Sequence, residues 1–570
     1  MCAGNTGHRD GNLAMSGNSM SRIDIQTSPD LYRHWRIETD GEIASLIMDV
    51  DPAGGLSTDY ELKLNSYDLA VDIELNDAIQ RLRFEHPDVR AVIVKSGKEN
   101  VFCAGANIRM LGKATHGHKV NFCKFTNETR LSIEDASEHS KQVYLSAVSG
   151  TAAGGGYELA LATDWIMLVD DRRSAVSLPE TPLLAVLPGT GGITRVTDKR
   201  KVRRDLADMF CATEEGQRGK KAVDWRLIDE TVVKTKWDDA VKARAKEIAA
   251  RSDRPKDAKG VRFSPLKREI TENAIDYSTV RVEIERERGL ATIIVRGPTT
   301  SPPASVADAQ SQGDRFWPLL LARELEDAIL QLRFNEPTTG LILFRTEGEA
   351  KIVLDYDGFL AANEKDWLMR EVRHYVKRTL KRLDVTAKSM IALVEPGSCF
   401  AGTLAELLFA SDRALMLIGR RDGDNRPPAA IVLGDANFGP YPMGNGLTRL
   451  ETRFLGEPDS VGRAKEKAGT PLEGEEAAAL GLITVAYENF DWDDELRVMI
   501  EERVSFSPDA LTGMEANIRF AGPETMETKI FGRLTAWQNW IFQRPNSVGE
   551  QGALKLYGTG VAPTFNKERV

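Results

Sequence analysis

Leu75-Asn-Asp-Ala-Ile-Gln-Arg-Leu-Arg-Phe-Glu-His-Pro87 recurs as Leu325-Glu-Asp-Ala-Ile-Leu-Gln-Leu-Arg-Phe-Asn-Glu-Pro337, and an apolar run follows each copy, Ala91-Val-Ile-Val94 and Leu341-Ile-Leu-Phe344. This reads as a helix feeding a buried strand, twice. Further out, Tyr157-Glu-Leu-Ala-Leu-Ala-Thr-Asp164 matches Ala405-Glu-Leu-Leu-Phe-Ala-Ser-Asp412, Gly192-Ile-Thr-Arg195 matches Gly446-Leu-Thr-Arg449, and Trp237-Asp-Asp239 matches Trp492-Asp-Asp494. The order is kept at an offset of about 250 residues, which predicts a duplicated domain rather than a short-period solenoid. Each unit opens with strand-like alternation, Ile43-Ala-Ser-Leu-Ile-Met48 and Leu290-Ala-Thr-Ile-Ile-Val295, and then alternates amphipathic helices with β-branched runs. An α/β fold with a mainly parallel sheet is expected. The expected organisation is a flexible tail over 1–22, a first unit over 23–251, a linker over 252–278 with Pro255 and Pro265, and a second unit over 279–570. Thr299 to Asp314, with Pro302 and Pro303, is expected to be a loop.

The 570 residues are 42% hydrophobic and 28% charged, a soluble globular composition that excludes disorder of the whole chain. A formal net charge of −10, without a block of basic residues, argues against nucleic acid or an anionic membrane as partner. It leaves room for a small anion in a local basic pocket. No window approaches the ~20 apolar residues of a membrane span, and the Gly/Ser/Asn-rich start lacks an apolar core, so a cytoplasmic protein is expected. Cys2, Cys103, Cys123, Cys211 and Cys399 are scattered and form no Cys-x-x-Cys pair, which predicts reduced thiols. His116-Gly-His118 lacks an acidic partner at ligand spacing, so no metal site is expected. Neither a Walker sequence nor a strand-embedded Gly-x-Gly-x-x-Gly occurs, so no bound nucleotide cofactor is indicated.

Two turns of small residues stand out in the first unit: Phe102-Cys-Ala-Gly-Ala-Asn-Ile108, and Ala147-Val-Ser-Gly-Thr-Ala-Ala-Gly-Gly-Gly-Tyr-Glu-Leu159. Such a turn can serve tight helix–strand packing alone. Two brought together could also aim unshielded N–H groups at one carbonyl oxygen, each donor worth about 3–4 kcal/mol as charge develops on it. Glu158 follows the glycine triplet at the start of a helix, where a carboxylate complements the positive helix end. Glu180, in Leu178-Pro-Glu-Thr-Pro182, reads as a surface loop acid when taken alone.

Together with Pro188-Gly-Thr-Gly-Gly192, these stretches resemble the successive signatures of the crotonase (enoyl-CoA hydratase/isomerase) superfamily, over about Trp35 to Ala250. The resemblance implies two tandem ββα-spiral domains, the second degenerate and with helical C-terminal parts. It implies that the Ala106 and Gly155 amides form an oxyanion hole for the thioester carbonyl of an acyl-CoA. Asn107 stands where the superfamily usually has aspartate, beside Ala106; with Gly154 it is assigned to substrate binding, as is Lys63 in the region that contacts the nucleotide. Glu158 and Glu180 fall on the two glutamates that hydratases use on a shared water, where one carboxyl raised toward neutrality can act as acid and the other as base. Cys123, in Val120-Asn-Phe-Cys-Lys-Phe125, borders the acyl pocket; it is either a buried small hydrophobe or, with Lys124, a third proton-transfer or positioning contact.

The second unit keeps the scaffold and loses the chemistry. Gly154-Gly-Gly156 becomes Gly402-Thr-Leu404, Ala104-Gly-Ala106 has no counterpart in Ile352-Val-Leu-Asp-Tyr-Asp357, and Glu180 falls near Gly434 and Asp435. Leu404 and Tyr356 would crowd a thioester, and Glu406 is expected to be a solvated or capping side chain. An intact unit fused to a degraded one, with Cys123 and both glutamates, resembles a branch of the superfamily that opens the ring of oxygenated aromatic acyl-CoA esters. That implies an aromatic acyl-CoA substrate, no cofactor beyond the CoA carried by the substrate, and a homodimer. A plain hydratase or isomerase acting on a bulky acyl-CoA, and a non-catalytic CoA-ester-binding scaffold, are the alternatives.

Overall fold

Six strands form the first sheet, in the order Trp35–Asp40, Ile43–Met48, Ala91–Ser96, Val143–Val148, Trp165–Asp170 and Glu230–Val233. The first two pair antiparallel and every later pair is parallel. A second, eight-stranded sheet repeats the plan: Val280–Glu285 and Leu290–Arg296 form its antiparallel hairpin, and Leu341–Glu347, Ser389–Val394, Arg413–Leu417 and Val485–Tyr487 follow in parallel. Ala91 to Val94 and Ser389 to Val394 are buried throughout, as expected of parallel strands covered on both faces. The computed structural model describes residues 22–570. The tail expected over 1–22 lies outside the described residues except for Arg22, which donates to Gln331 at 3.0 Å.

The helix read from the opening stretch spans Leu69–Phe84, with Asp68 capping its start by accepting the Ala70 N–H. Its counterpart spans Trp317–Asn335, with Pro318 in the first turn where a missing N–H costs nothing. Two further helices, His116–Ser140 and Trp367–Asp384, pack beside them, and the four together join the halves. Phe125 meets Phe334, and Tyr375 meets Phe84, as reciprocal contacts at 5.9 Å each. Around them, Glu371 receives Arg83 at 2.8 Å and Arg254 at 3.0 Å, all three buried. The two guanidiniums hold the Glu371 carboxyl down at about 2 against the effect of burial.

Two expectations change here. The 252–278 stretch is no free linker: Arg254 donates to the carbonyls of Pro87, Ser140 and Arg83 as well as to Glu371, and Val261 and Phe263 join the second core. Its end supplies strands Glu269–Ile270 and Ala274–Asp276 to the second sheet. The apolar and buried charged residues within it outweigh its prolines. Likewise, the 299–314 loop contains a helix, Val306–Gln312, capped by Ser305 and anchored by buried Ala309.

Candidate active site

A small parallel sheet, Val101–Cys103, Thr151–Ala153 and Ala175–Ser177, stands beside the first large sheet and delivers three chain turns to one place. The first turn runs through Ala104 to Asn107. Tyr67 donates its N–H to the Gly105 carbonyl at 3.0 Å and accepts the Asn107 N–H at 2.8 Å, a parallel bridge that leaves the intervening Ala106 N–H facing away from Tyr67. The second turn runs through Gly154, at φ +52°, into helix Gly155–Ala162. The amides of Ala106 and Gly155 have no acceptor among the described residues. The turns abut, since a side-chain carbon on Gly105 would lie 3.0 Å from the Gly155 nitrogen.

Each glycine of the triplet has its own reason to lack a side chain. A Cβ on Gly154 would lie 2.8 Å from Glu180 Oε1, on Gly155 1.9 Å from the Tyr67 hydroxyl, and on Gly156 2.2 Å from the Cys103 carbonyl.

Glu158, in the first turn of that helix, is buried. Its carboxylate accepts the Thr190 N–H at 2.9 Å, the Gly192 N–H at 2.8 Å and the Thr190 hydroxyl. Three donors on one carboxyl require lone pairs, so Glu158 is the acceptor of the pair. Thr190 is held in turn: its carbonyl accepts from Arg195 at 3.0 Å, and Arg195 grips Glu134 with two bonds of 2.9 Å. The Pro188 to Gly192 stretch, read in the sequence only as a signature, is thus the cradle of Glu158.

Glu180 opens the short helix Glu180–Leu184 on the third turn, after Ala175–Ser177. Its Oε2 is buried with no hydrogen-bond partner among the described residues. Burial first, and the Glu158 charge second, push its carboxyl up to about 7. One glutamate tied down as acceptor and one free to carry a proton have the chemistry an acid/base pair needs.

Of the other residues singled out, Cys123 lies half-buried on helix His116–Ser140, and burial plus the nearby Glu158 charge push its thiol up to about 11. Burial first, and the Arg333 charge second, bring the Lys124 ammonium down to about 7, with Glu128 opposing them. Asn107, expected to bind substrate, is spent inside the protein. It caps the next helix by accepting the Met110 N–H at 3.0 Å and donates to the Glu61 carbonyl at 2.8 Å and Ser66 at 3.2 Å. Lys63 is exposed and paired with Glu61 at 2.8 Å. Cys103 is a core thiol, bonded to the Asn65 carbonyl at 3.0 Å. The His116 ring stacks on Trp540 at 5.7 Å.

At the corresponding place in the second half, the Asp357 carboxylate accepts the Thr403 N–H at 2.8 Å, the amide in register with Gly155, and also takes the Thr403 hydroxyl. Glu406, in register with Glu158, is neither solvated nor a cap. It is buried, taking Asn437 at 2.7 Å and Arg449 at 3.0 Å, because Arg449 arrives from the counterpart of the Glu158 cradle.

A profile of the Enoyl-CoA hydratase/isomerase family matches residues 61–281. Among solved structures, an enoyl-CoA hydratase from Geobacillus kaustophilus is 30% identical, with 38% of this chain and 75% of that chain covered at a TM-score of 0.34. One from Bacillus anthracis is 24% identical, with 38% and 77% covered at a TM-score of 0.33. A benzoyl-CoA-dihydrodiol lyase from Aromatoleum evansii is 54% identical over 548 residues, 96% of this chain and 98% of the relative. At that identity over nearly all of both chains, the protein belongs to the crotonase (enoyl-CoA hydratase/isomerase) superfamily, in the family of that lyase.

Proposed function

We propose that the chain is a carbon–carbon lyase that opens the ring of an oxygenated benzoyl-CoA, the dihydrodiol or the 2,3-epoxide, in aerobic benzoate breakdown. The observation that carries the reading is the meeting of the two glutamates, one an acceptor and one able to hold a proton near neutrality, at the turn that presents the Gly155 amide, which has no acceptor among the described residues. The relative's name supplies the substrate class.

In this reading the Ala106 and Gly155 N–H groups polarise the thioester carbonyl, so that electrons released from the ring flow toward that oxygen. Glu158 takes a proton from water and Glu180 returns one to the carbon or oxygen that leaves. The dihydrodiol with one water, or the epoxide with two, balances to 3,4-dehydroadipyl-CoA semialdehyde and formate, with no net oxidation and no cofactor beyond the CoA of the substrate. Cys123 contributes as a neutral thiol lining the acyl pocket. Gly154 contacts substrate through its backbone, and Lys63 approaches the CoA phosphates.

The two sheets with the same hairpin-then-parallel order support a tandem pair of crotonase-like domains. Asp357 on the Thr403 amide supports a second domain without a thioester site, which serves as a scaffold. The exposed apolar side chains of the C-terminal helices, Met526, Phe531, Leu534 and Phe542, support a homodimer that covers them. Among the described residues no helix is long and apolar enough to cross a membrane. A cytoplasmic site of action goes with a CoA-ester substrate.

Glu158→Gln and Glu180→Gln test the reading. Each is expected to lower turnover by about 10²–10⁴-fold while leaving binding of benzoyl-CoA within a few-fold of the parent. Parent-like turnover in either variant would refute the assignment.

A further inference from the structure

Behind the glycine triplet lies a polar group that the reaction scheme above does not use. The Arg130 guanidinium is buried on helix His116–Ser140 and donates to the Tyr67 hydroxyl at 3.2 Å and to the Gly155 carbonyl at 3.4 Å. Its other nitrogen reaches Asp72 at 3.4 Å and the Thr126 carbonyl at 3.3 Å, and the Thr126 hydroxyl donates to Asp72. Tyr67 is therefore held at both ends. Its main chain pins Gly105 and Asn107 on either side of Ala106, and its hydroxyl occupies the space a Gly155 side chain would need.

A buried ion pair of this kind costs desolvation that apolar packing would avoid. The second half is an internal control for what the fold itself requires. At the repeat offset of about 250 residues, Tyr67, Asp72, Thr126 and Arg130 correspond to Trp317, Ala322, Val376 and Leu380. The reciprocal contacts of Phe125 with Phe334 and Tyr375 with Phe84 hold the same register. There Ala322, Val376 and Leu380 line a small apolar cavity beside Thr403 and Leu404. The same helices thus pack without the network in the half whose amide is taken by Asp357, so packing alone does not account for it.

We infer that Tyr67, braced by Arg130, is a positioning residue that sets the spacing of the Ala106 and Gly155 amide donors. The inference rests on the reading of those amides as the donors to the thioester carbonyl. Removing the hydroxyl lets the Gly154–Gly155 turn recoil by a fraction of an oxygen's width. Hydrogen bonds to a developing charge lose strength steeply with such misplacement, and the loss falls on turnover more than on binding.

The test uses the full chain and benzoyl-CoA, which carries the thioester but lacks the oxygenated ring carbons. Its ultraviolet band shifts to longer wavelength when donors polarise the carbonyl. The parent protein is expected to give this red shift. Tyr67→Phe is expected to bind benzoyl-CoA within about twofold of the parent, to give a clearly smaller shift, and to lower kcat on the oxygenated benzoyl-CoA ester by about tenfold or more with KM little changed. Arg130→Lys keeps the positive charge against Asp72 but cannot span Tyr67 and Gly155; it is expected to reduce the shift as well, and it stands in if Tyr67→Phe fails to fold. A red shift and kcat equal to the parent's in a folded variant would overturn the inference and leave the amide reading standing. No shift in the parent itself would overturn the amide reading, and the inference with it.

Discussion

Glu180 holds its proton up to about pH 7 because it is partly buried and because the Glu158 charge acts on it, while Glu158 is tied to Thr190 and Gly192. If Glu180 delivers a proton, the working form is the neutral acid. The rate is then expected to fall as the pH rises through about 7. A pH profile of kcat/KM, which reports the free enzyme, checks this; a value that keeps climbing above that pH would make Glu180 the base.

The same shift has a consequence for stability. The folded-state value of Glu180, about 7, lies above the ordinary glutamate value of 4.5, so its favourable contribution is complete below about 4.5 and is lost as the pH rises through about 7. Glu180→Gln, which cannot ionise, is therefore expected to be more stable than the parent at pH 8, by on the order of 1–3 kcal/mol, and to lose that advantage near pH 4. Denaturant midpoints of the two proteins at both pH values decide it.

Gly155→Ala places a methyl group 1.9 Å from the Tyr67 oxygen. Tyr67 cannot retreat without dragging the Gly105–Asn107 turn with it. The variant is expected to fold, since only the site turns must shift, and, on the proposal that the Gly155 amide donates to the thioester carbonyl, to lose about 10²–10³-fold in kcat as that donor is displaced. Steady-state kinetics with a circular-dichroism control reads both.

Cys123, pushed up to about 11, is a thiol at neutral pH and a poor nucleophile. Alkylation by iodoacetamide at pH 7 is expected to be slower than that of free cysteine. Cys123→Ser is expected to retain turnover within about tenfold, since no thiolate is lost. Loss of all turnover in that variant would point to covalent chemistry at this sulfur.

Much of the architecture was legible in the sequence because a helix-and-strand pattern repeated at one offset is hard to produce by chance. The Leu75–Pro87 and Leu325–Pro337 stretches do form helices that feed central strands of two sheets of the same order. The glycine triplet and the helix-opening Glu158 stand out through local spacing, whereas Glu180, a surface loop acid when read alone, is singled out only by the resemblance. What escaped depends on contacts across long separations. Arg130 meets Tyr67 from 63 residues away. Arg254 and Glu371 lock the halves together from 117 residues apart. Asn107 looks like a site residue one position from Ala106, yet its side chain is consumed by a helix cap. Lys124 is next to Cys123 in the chain but on another face of the helix. Glu406 has the register of Glu158 and the environment of a buried ion pair, which only the arrival of Arg449 reveals.

The most direct test of the central claim is the measurement of formate released when the purified full-length protein meets the 2,3-epoxide and the dihydrodiol of benzoyl-CoA, with crotonyl-CoA in parallel. A ring-opening lyase releases about one formate per oxygenated ester consumed, from at least one of the two, with little or no hydration of crotonyl-CoA. Efficient hydration of crotonyl-CoA with no formate from either oxygenated ester would contradict that claim.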